Sequence, residues 1–300
     1  MLYYLLLSVA VFLLHDYFEV IKLHLPFSTL TALSTALAIF LGFKNSNAYE
    51  RWWEARQIWG QLVNSSRSWA RQVITMIIPA NAQEAQEVRA LQKRMVYRHL
   101  AFVHGLRVFL RRPKAYNETR QEEIYEETNE YTDTVSFLSP NEYKVFCHKN
   151  NPPNYLLNLQ GDDLRRAYDR GWLSDYRFVQ LEQTLVEFNN IQGRSERIKN
   201  TPFPRQYSFF SRVFVFIHAS LLPFVFVEEL RWASIPVSVI ISFVFLCLDL
   251  VGERTEDPFE NRLEDVPLTA LSLGIETNLK KHLGDRNFPA QKDSSNGVVL

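Results

Sequence analysis

The sequence predicts an all-α membrane protein, with four membrane-spanning helices in two hairpins around a large helical polar region. Apolar residues are 47% of the 300 and lie piled near the two ends of the chain, although mean hydropathy is only −0.16. No stretch alternates apolar and polar residues as a half-buried strand does. Lys plus Arg and Asp plus Glu both total 33, so the basic excess that a nucleic-acid binder needs is missing. Cys147 and Cys247 stand far apart, which excludes a disulfide framework and a cysteine-type zinc site. No glycine-rich phosphate loop is present.

The first apolar block, 1–14, has neither the basic start nor the small-residue cleavage site of a signal peptide. It reads as a membrane helix whose first turn is missing or short. The second block, 25–43, has no charge and as a helix spans about 28 Å, close to a bilayer core. The third, 207–227, holds Arg212 and His218, and the acidic link EELR joins it to the fourth, 232–248. Core helices of a soluble protein are the alternative, favoured by Arg212, Pro223 and Pro236. Four such runs rich in Phe, Leu and Val favour the bilayer.

Basic residues follow block two (Lys44, Arg51, Arg56, Arg67, Arg71) and precede block three (Arg194, Arg197, Lys199, Arg205). By the positive-inside rule, 44–206 and both termini lie on the cytoplasmic side of the cell's inner (plasma) membrane. The expected organisation is membrane helices over 1–43, a cytosolic helical region over 44–206, membrane helices over 207–252, a cytosolic segment over 253–284 and a disordered tail over 285–300. Within the cytosolic region, periodicity predicts helices over 55–78, 85–110, 162–168 and 175–191, the last stopped by Gly193. A further helix within 139–161 is expected to stop at Pro152–Pro153. Another helix follows Pro267.

Ser28, Thr31, Thr35, Ile39 and Phe43 recur every three or four residues and share a face of block two. Several copies about a symmetry axis would enclose a channel, hydroxyl-lined on the outer side and narrowed by apolar groups further in. Apolar rings gate by dewetting, and Phe ring edges favour anions. A packing face, with hydroxyls bonded back to the helix carbonyls, is the alternative reading.

LGFKNSNAYERWWEARQIWG (41–60) resembles the signature of bacterial bestrophins. QGRSERIKNTPFPRQY (192–207) and DPFEN (257–261) resemble two further motifs of that family, in the same order. The resemblance covers 1 to about 284. It implies a homopentameric ion channel whose neck is formed by five copies of the second helix. The implied neck positions are Phe43, Ile39 and Thr35, with Ser28 and Thr31 lining the outer part. Thr35 departs from the apolar residue usual there. A second, cytosolic constriction is also implied, with no motif to place it; 176–180 is the candidate region. The family's calcium clasp corresponds to Glu260, Asn261, Arg262, Leu263, Glu264 and Asp265, where a cation and an apolar residue interrupt the acids. Calcium wants several hard oxygen ligands, so calcium control is not expected.

Arg51, Trp52 and Trp53 read as structural: a cation meeting a carboxylate such as Glu54 or Asp257, and an aromatic pair in an interfacial belt or an intersubunit contact. Arg212 is near enough to the inner end to snorkel. His15, Asp16, Glu19 and His24 read as a solvated outer loop, and Cys147–His148 as packing. The expected function is passage of small monovalent ions, with chloride the family default and cations passed by some bacterial members. No cofactor or metal is expected, and the partners are the lipid bilayer and further copies of the chain. A secondary transporter is the alternative. So is a membrane enzyme, although no acid–base or nucleophile constellation supports one.

Overall fold

The computed structural model describes residues 1–17, 26–112 and 131–289. Every regular element among them is helical. The α-helices are, in order, α1 (Leu2–Phe12), α2 (Phe27–Met76), α3 (Ala85–Arg111), α4 (Pro140–Cys147), α5 (Pro152–Asp169), α6 (Asp175–Asn200), α7 (Arg205–Leu230), α8 (Ser234–Thr255) and α9 (Leu268–His282). The chain forms two compact units. The first is Met1–Trp52 with Pro202–Asp257, and the second is Trp53–Thr201 with Pro258–Leu300.

The first unit packs α1 on α7 and α8, with the N-terminal half of α2 beside them. α2 turns Leu30, Leu37 and Leu41 inward. Leu30 packs with Leu222 and Val225, and Leu37 and Leu41 pack with Val215. Phe40 stacks on Tyr207 with centroids 4.4 Å apart. On α8 the buried face is Ser234, Ser238 and Ser242, four residues apart, small enough for close helix approach. Phe209, Phe210, Phe214, Ile240, Phe243, Val244 and Val251 stay exposed on α7 and α8. Large apolar surface left outward on long apolar helices is what lipid covers. α7 runs unbroken through Pro223.

The second unit is built around α3, whose residues from His99 to Val108 are all buried. α5, α6 and α9 pack on it. Trp59 and Trp69 of α2 are fully buried, and Phe188 of α6 meets Trp69 edge-on at 6.0 Å. Several polar groups inside are paired. His99 Nε2 lies 2.8 Å from Ser66 Oγ, and Arg98 pairs with Asp163 and Glu142. Glu276 lies 3.0 Å from His104 and 2.7 Å from Lys280.

Four expectations are corrected. The helix read over 55–78 is not separate, because α2 is one helix of 50 residues beginning at Phe27. The polar stretch between its halves contains no proline, so nothing ends the ladder there. Pro152 and Pro153 begin a helix instead of stopping one. Asn151 caps α5, its Oδ1 accepting from the Asn154 N–H at 3.2 Å, and proline fits the first turn, where its missing N–H loses no bond. The short helix read over 162–168 is the end of that same α5. Finally, Gly193 does not stop α6, which continues to Asn200. A helix-interior glycine costs about 1 kcal/mol, less than burying Ile191 and Ile198 on either side of it stabilises.

The helix after Pro267 lies where expected. Of the tail, 285–289 carry no regular structure and 290–300 fall outside the described residues. Asp285 is tied down, accepting from Tyr97 Oη at 2.6 Å.

Candidate functional site

α2 has two unlike faces in the first unit. Leu30, Leu37, Leu41, Lys44 and Ala48 are buried against the other helices. Ser28, Thr31, Thr35, Ile39 and Phe43 are all exposed, Ile39 at 56% and Phe43 at 62%. The five residues therefore share one open face. Thr31 Oγ donates to the Phe27 carbonyl at 2.9 Å and Thr35 Oγ to the Thr31 carbonyl at 2.8 Å. The back-bonding described for a packing face is present, yet the residues that do it are not packed.

The residues beside this face hold the helix in place. Ser34 Oγ lies 2.7 Å from His218 Nε2 on α7, and the His218 ring sits 4.5 Å from that of Phe245 on α8. Lys44, next to Phe43, is 1% exposed. Its ammonium donates to Asp249 Oδ1 at 2.7 Å and to Ser211 Oγ at 2.9 Å, joining α2, α8 and α7. Asn45 Nδ2 donates to the Leu248 carbonyl at 3.0 Å.

Arg51 donates from Nε to the Glu256 carbonyl at 2.8 Å and lies 3.9 Å from Asp257. Of its two expected carboxylates Asp257 is the one it meets; Glu54 pairs with Arg197. Trp52 stacks with Tyr49 at 6.1 Å, and Trp53 is 46% exposed. Arg212 does not merely snorkel, since it pairs with Glu253 at 3.0 Å.

In the second unit Glu260 pairs with buried Lys199 at 2.6 Å. The Arg262 N–H donates to Asp265 Oδ2 at 3.2 Å, and burial pushes the Asp265 carboxyl up to about 7. Among the described residues no three or more His, Cys, Asp or Glu side chains are grouped to hold a metal ion. Tyr176, Val179 and Gln180 are exposed on the first turns of α6. Asp16 lies 3.4 Å from Arg231; Glu19 and His24 fall outside the described residues. His148 Nδ1 lies 2.7 Å from the Lys144 carbonyl, and Cys147 is a free thiol.

The profile of the family described as "Bacterial/Fungal Bestrophin protein" matches residues 1–281. The chain belongs to this bestrophin family. It is 31% identical over 287 residues to the voltage-dependent anion channel-forming protein YneE of Salmonella typhimurium, covering 96% of this chain and 86% of that protein. It is 29% identical to the channel-forming protein RSc3414 of Ralstonia nicotianae, over 93% and 84% of the two chains. The crystal structure of a bacterial bestrophin homologue from Klebsiella pneumoniae superposes with a TM-score of 0.81 at 30% identity, covering 95% of this chain and 98% of that one.

For a bestrophin, the residues that sequence reasoning missed are Ser34, His218, Ser211 and Asp249 as supports of the second helix. One signal was available: Asp249 is the first acid after a long apolar run, and Lys44 the first cation after another. Each demands a partner of opposite sign at the same depth.

Proposed function

We propose that this bestrophin is one subunit of a homopentameric channel for small monovalent ions, cations as well as the chloride that is the family default, with four membrane helices per subunit. Thr35, Ile39 and Phe43 of five copies line its neck, Ser28 and Thr31 line the outer approach, and the large helical unit lies in the cytosol. The observation that carries this reading is the open face of α2. Two large apolar side chains stay exposed on a helix whose opposite face is locked to α7 and α8. The names of its relatives, anion channel-forming proteins, support the ion-conducting part. Arg51, Trp52 and Trp53 are structural in this scheme. Calcium plays no part in gating, because Arg262 and Lys199 supply cations among the acids.

Conduction through liposome-reconstituted protein tests the reading, recorded in bilayers with asymmetric NaCl. Phe43→Ala removes a ring from a dry neck and raises single-channel conductance about twofold or more. Ile39→Phe adds aromatic edges and shifts the reversal potential toward that of chloride. Saturable, gradient-coupled uptake with no unitary currents would instead indicate a transporter.

A further inference from the structure

The stretch after the neck looks basic in sequence, with Lys44, Arg51 and Arg56 against Glu50 and Glu54. In the structure the cations nearest Phe43 are turned away from its face and already matched. Lys44 is buried on Asp249 and Ser211. Arg51 is held by the Glu256 carbonyl and lies 3.9 Å from Asp257. Glu50 differs. It is exposed, and it has no hydrogen-bond or ion-pair partner among the described residues.

Its register puts it on the neck face. At about 100° per residue, Glu50 lies two turns beyond Phe43 and falls angularly between Ile39 and Phe43. Lys44 lies about 100° to one side of Phe43. The first unmatched charge that the neck face meets on its cytosolic side is therefore negative. The rise from Phe43 to Glu50 is about 10 Å, equal to the Debye length of about 10 Å in 0.1 M salt and well beyond the 3 Å in 1 M salt. The hydroxyls on the other side of the neck point the same way. Thr31 and Thr35 give their protons to helix carbonyls, which leaves oxygen lone pairs for a passing ion.

We propose that Glu50 is a selectivity determinant of this channel. Five carboxylates ring the cytosolic mouth of the neck, concentrating cations and depleting anions there. The proposal rests on the pentameric pore described above and adds to it a source of charge discrimination that the uncharged neck lacks.

The test is bilayer recording in asymmetric NaCl of the wild type, Glu50→Gln, Glu50→Asp and Phe43→Ala, each checked for the wild-type elution volume. At 0.1 M salt Glu50→Gln raises chloride permeability relative to sodium about tenfold, because a cleft of one charge sign enriches its counter-ion by factors of about ten or more. Glu50→Asp retains the wild-type ratio, and the difference disappears at 1 M salt as screening removes it. An unchanged reversal potential in Glu50→Gln, with larger currents in Phe43→Ala, overturns the ring and leaves the pore standing. Unchanged currents in both variants overturn the ring together with the pore. A Glu50→Gln shift that persists undiminished at 1 M salt also overturns it, because a long-range field cannot survive that screening.

Discussion

Lys44 and Asp249 show how much hangs on one buried pair. Both are almost fully enclosed, and Ser211 completes the set. Removing one member leaves a stranded charge, which costs about 3–5 kcal/mol, whereas removing both at once is far milder. Lys44→Met is therefore expected to lower the melting temperature of the detergent-solubilised protein sharply, and Lys44→Met with Asp249→Leu to recover most of the loss. Equal melting temperatures for single and double variants would show that the pair is not coupled. His99 is a second buried group with a measurable consequence. Complete burial lowers its pKa to about 3, below the ordinary 6.5, so the folded state resists a proton that the unfolded state accepts. Stability from this site is full above about pH 6.5 and is lost as pH falls toward 3, with a slope of about 1.4 kcal/mol per pH unit. His99→Phe removes that slope. Denaturant midpoints of the two proteins between pH 4 and 7 should converge as the pH falls, and a constant gap would refute the assignment.

Among the elements, α2 matters most, since one helix carries both the open face and the polar stretch that follows it in sequence. The sequence shows a change of character at Lys44, from an apolar block to a charged one, and a reader of hydropathy places a boundary there. The backbone does not share that boundary, because a helix depends on local sterics and hydrogen bonds while hydropathy reports what surrounds it. The α2–α8 contact fixes the rotation of the open face of α2. Gly252 lies where α8 passes Asn45 and Lys44. A Cβ there would collide with Asn45 Oδ1 and sit 3.4 Å from the Lys44 side chain. Gly252→Ala is expected to displace the Asn45 amide from the Leu248 carbonyl, which it meets at 3.0 Å, and so to lose about 1 kcal/mol. Because Asn45 and Lys44 follow Phe43 directly, the same change should alter single-channel conductance without touching the lumen. Wild-type conductance combined with wild-type thermal stability would mean that the contact has no role in setting the neck.

At the scale of the whole molecule, the helical class, the apolar segments and the family were legible in the sequence. They are carried by long apolar runs and by the spacing of LGF and RWW. The Pro152–Pro153 and Gly193 boundaries were not, since proline marks a helix start as readily as an end and burial overrides a single glycine. The Lys44–Asp249 pair, whose members are separated by 205 positions in the chain, was legible only as two charges bounding apolar runs and not as a contact. The exposed face of α2 was visible as a period, but whether it packs within the protomer depends on tertiary contacts that no period encodes. That face also bears on the state of assembly. Lipid covers Phe209 or Ile240, but it does not account for Tyr176, 91% exposed, or Val179 and Val186, 53% and 49% exposed, on a helix of the polar unit. Apolar area left bare to water favours association, and a head-to-tail contact of one patch on another closes into a ring where the rotation closes and runs on as a filament where it does not. The pentamer proposed above is expected to run in light scattering, in mild detergent, at five times the 35.2 kDa chain mass, and glutaraldehyde to give a ladder ending at the fifth band. A monomer mass that persists across concentrations would leave Ile39 and Phe43 facing detergent, and the neck would have no second wall.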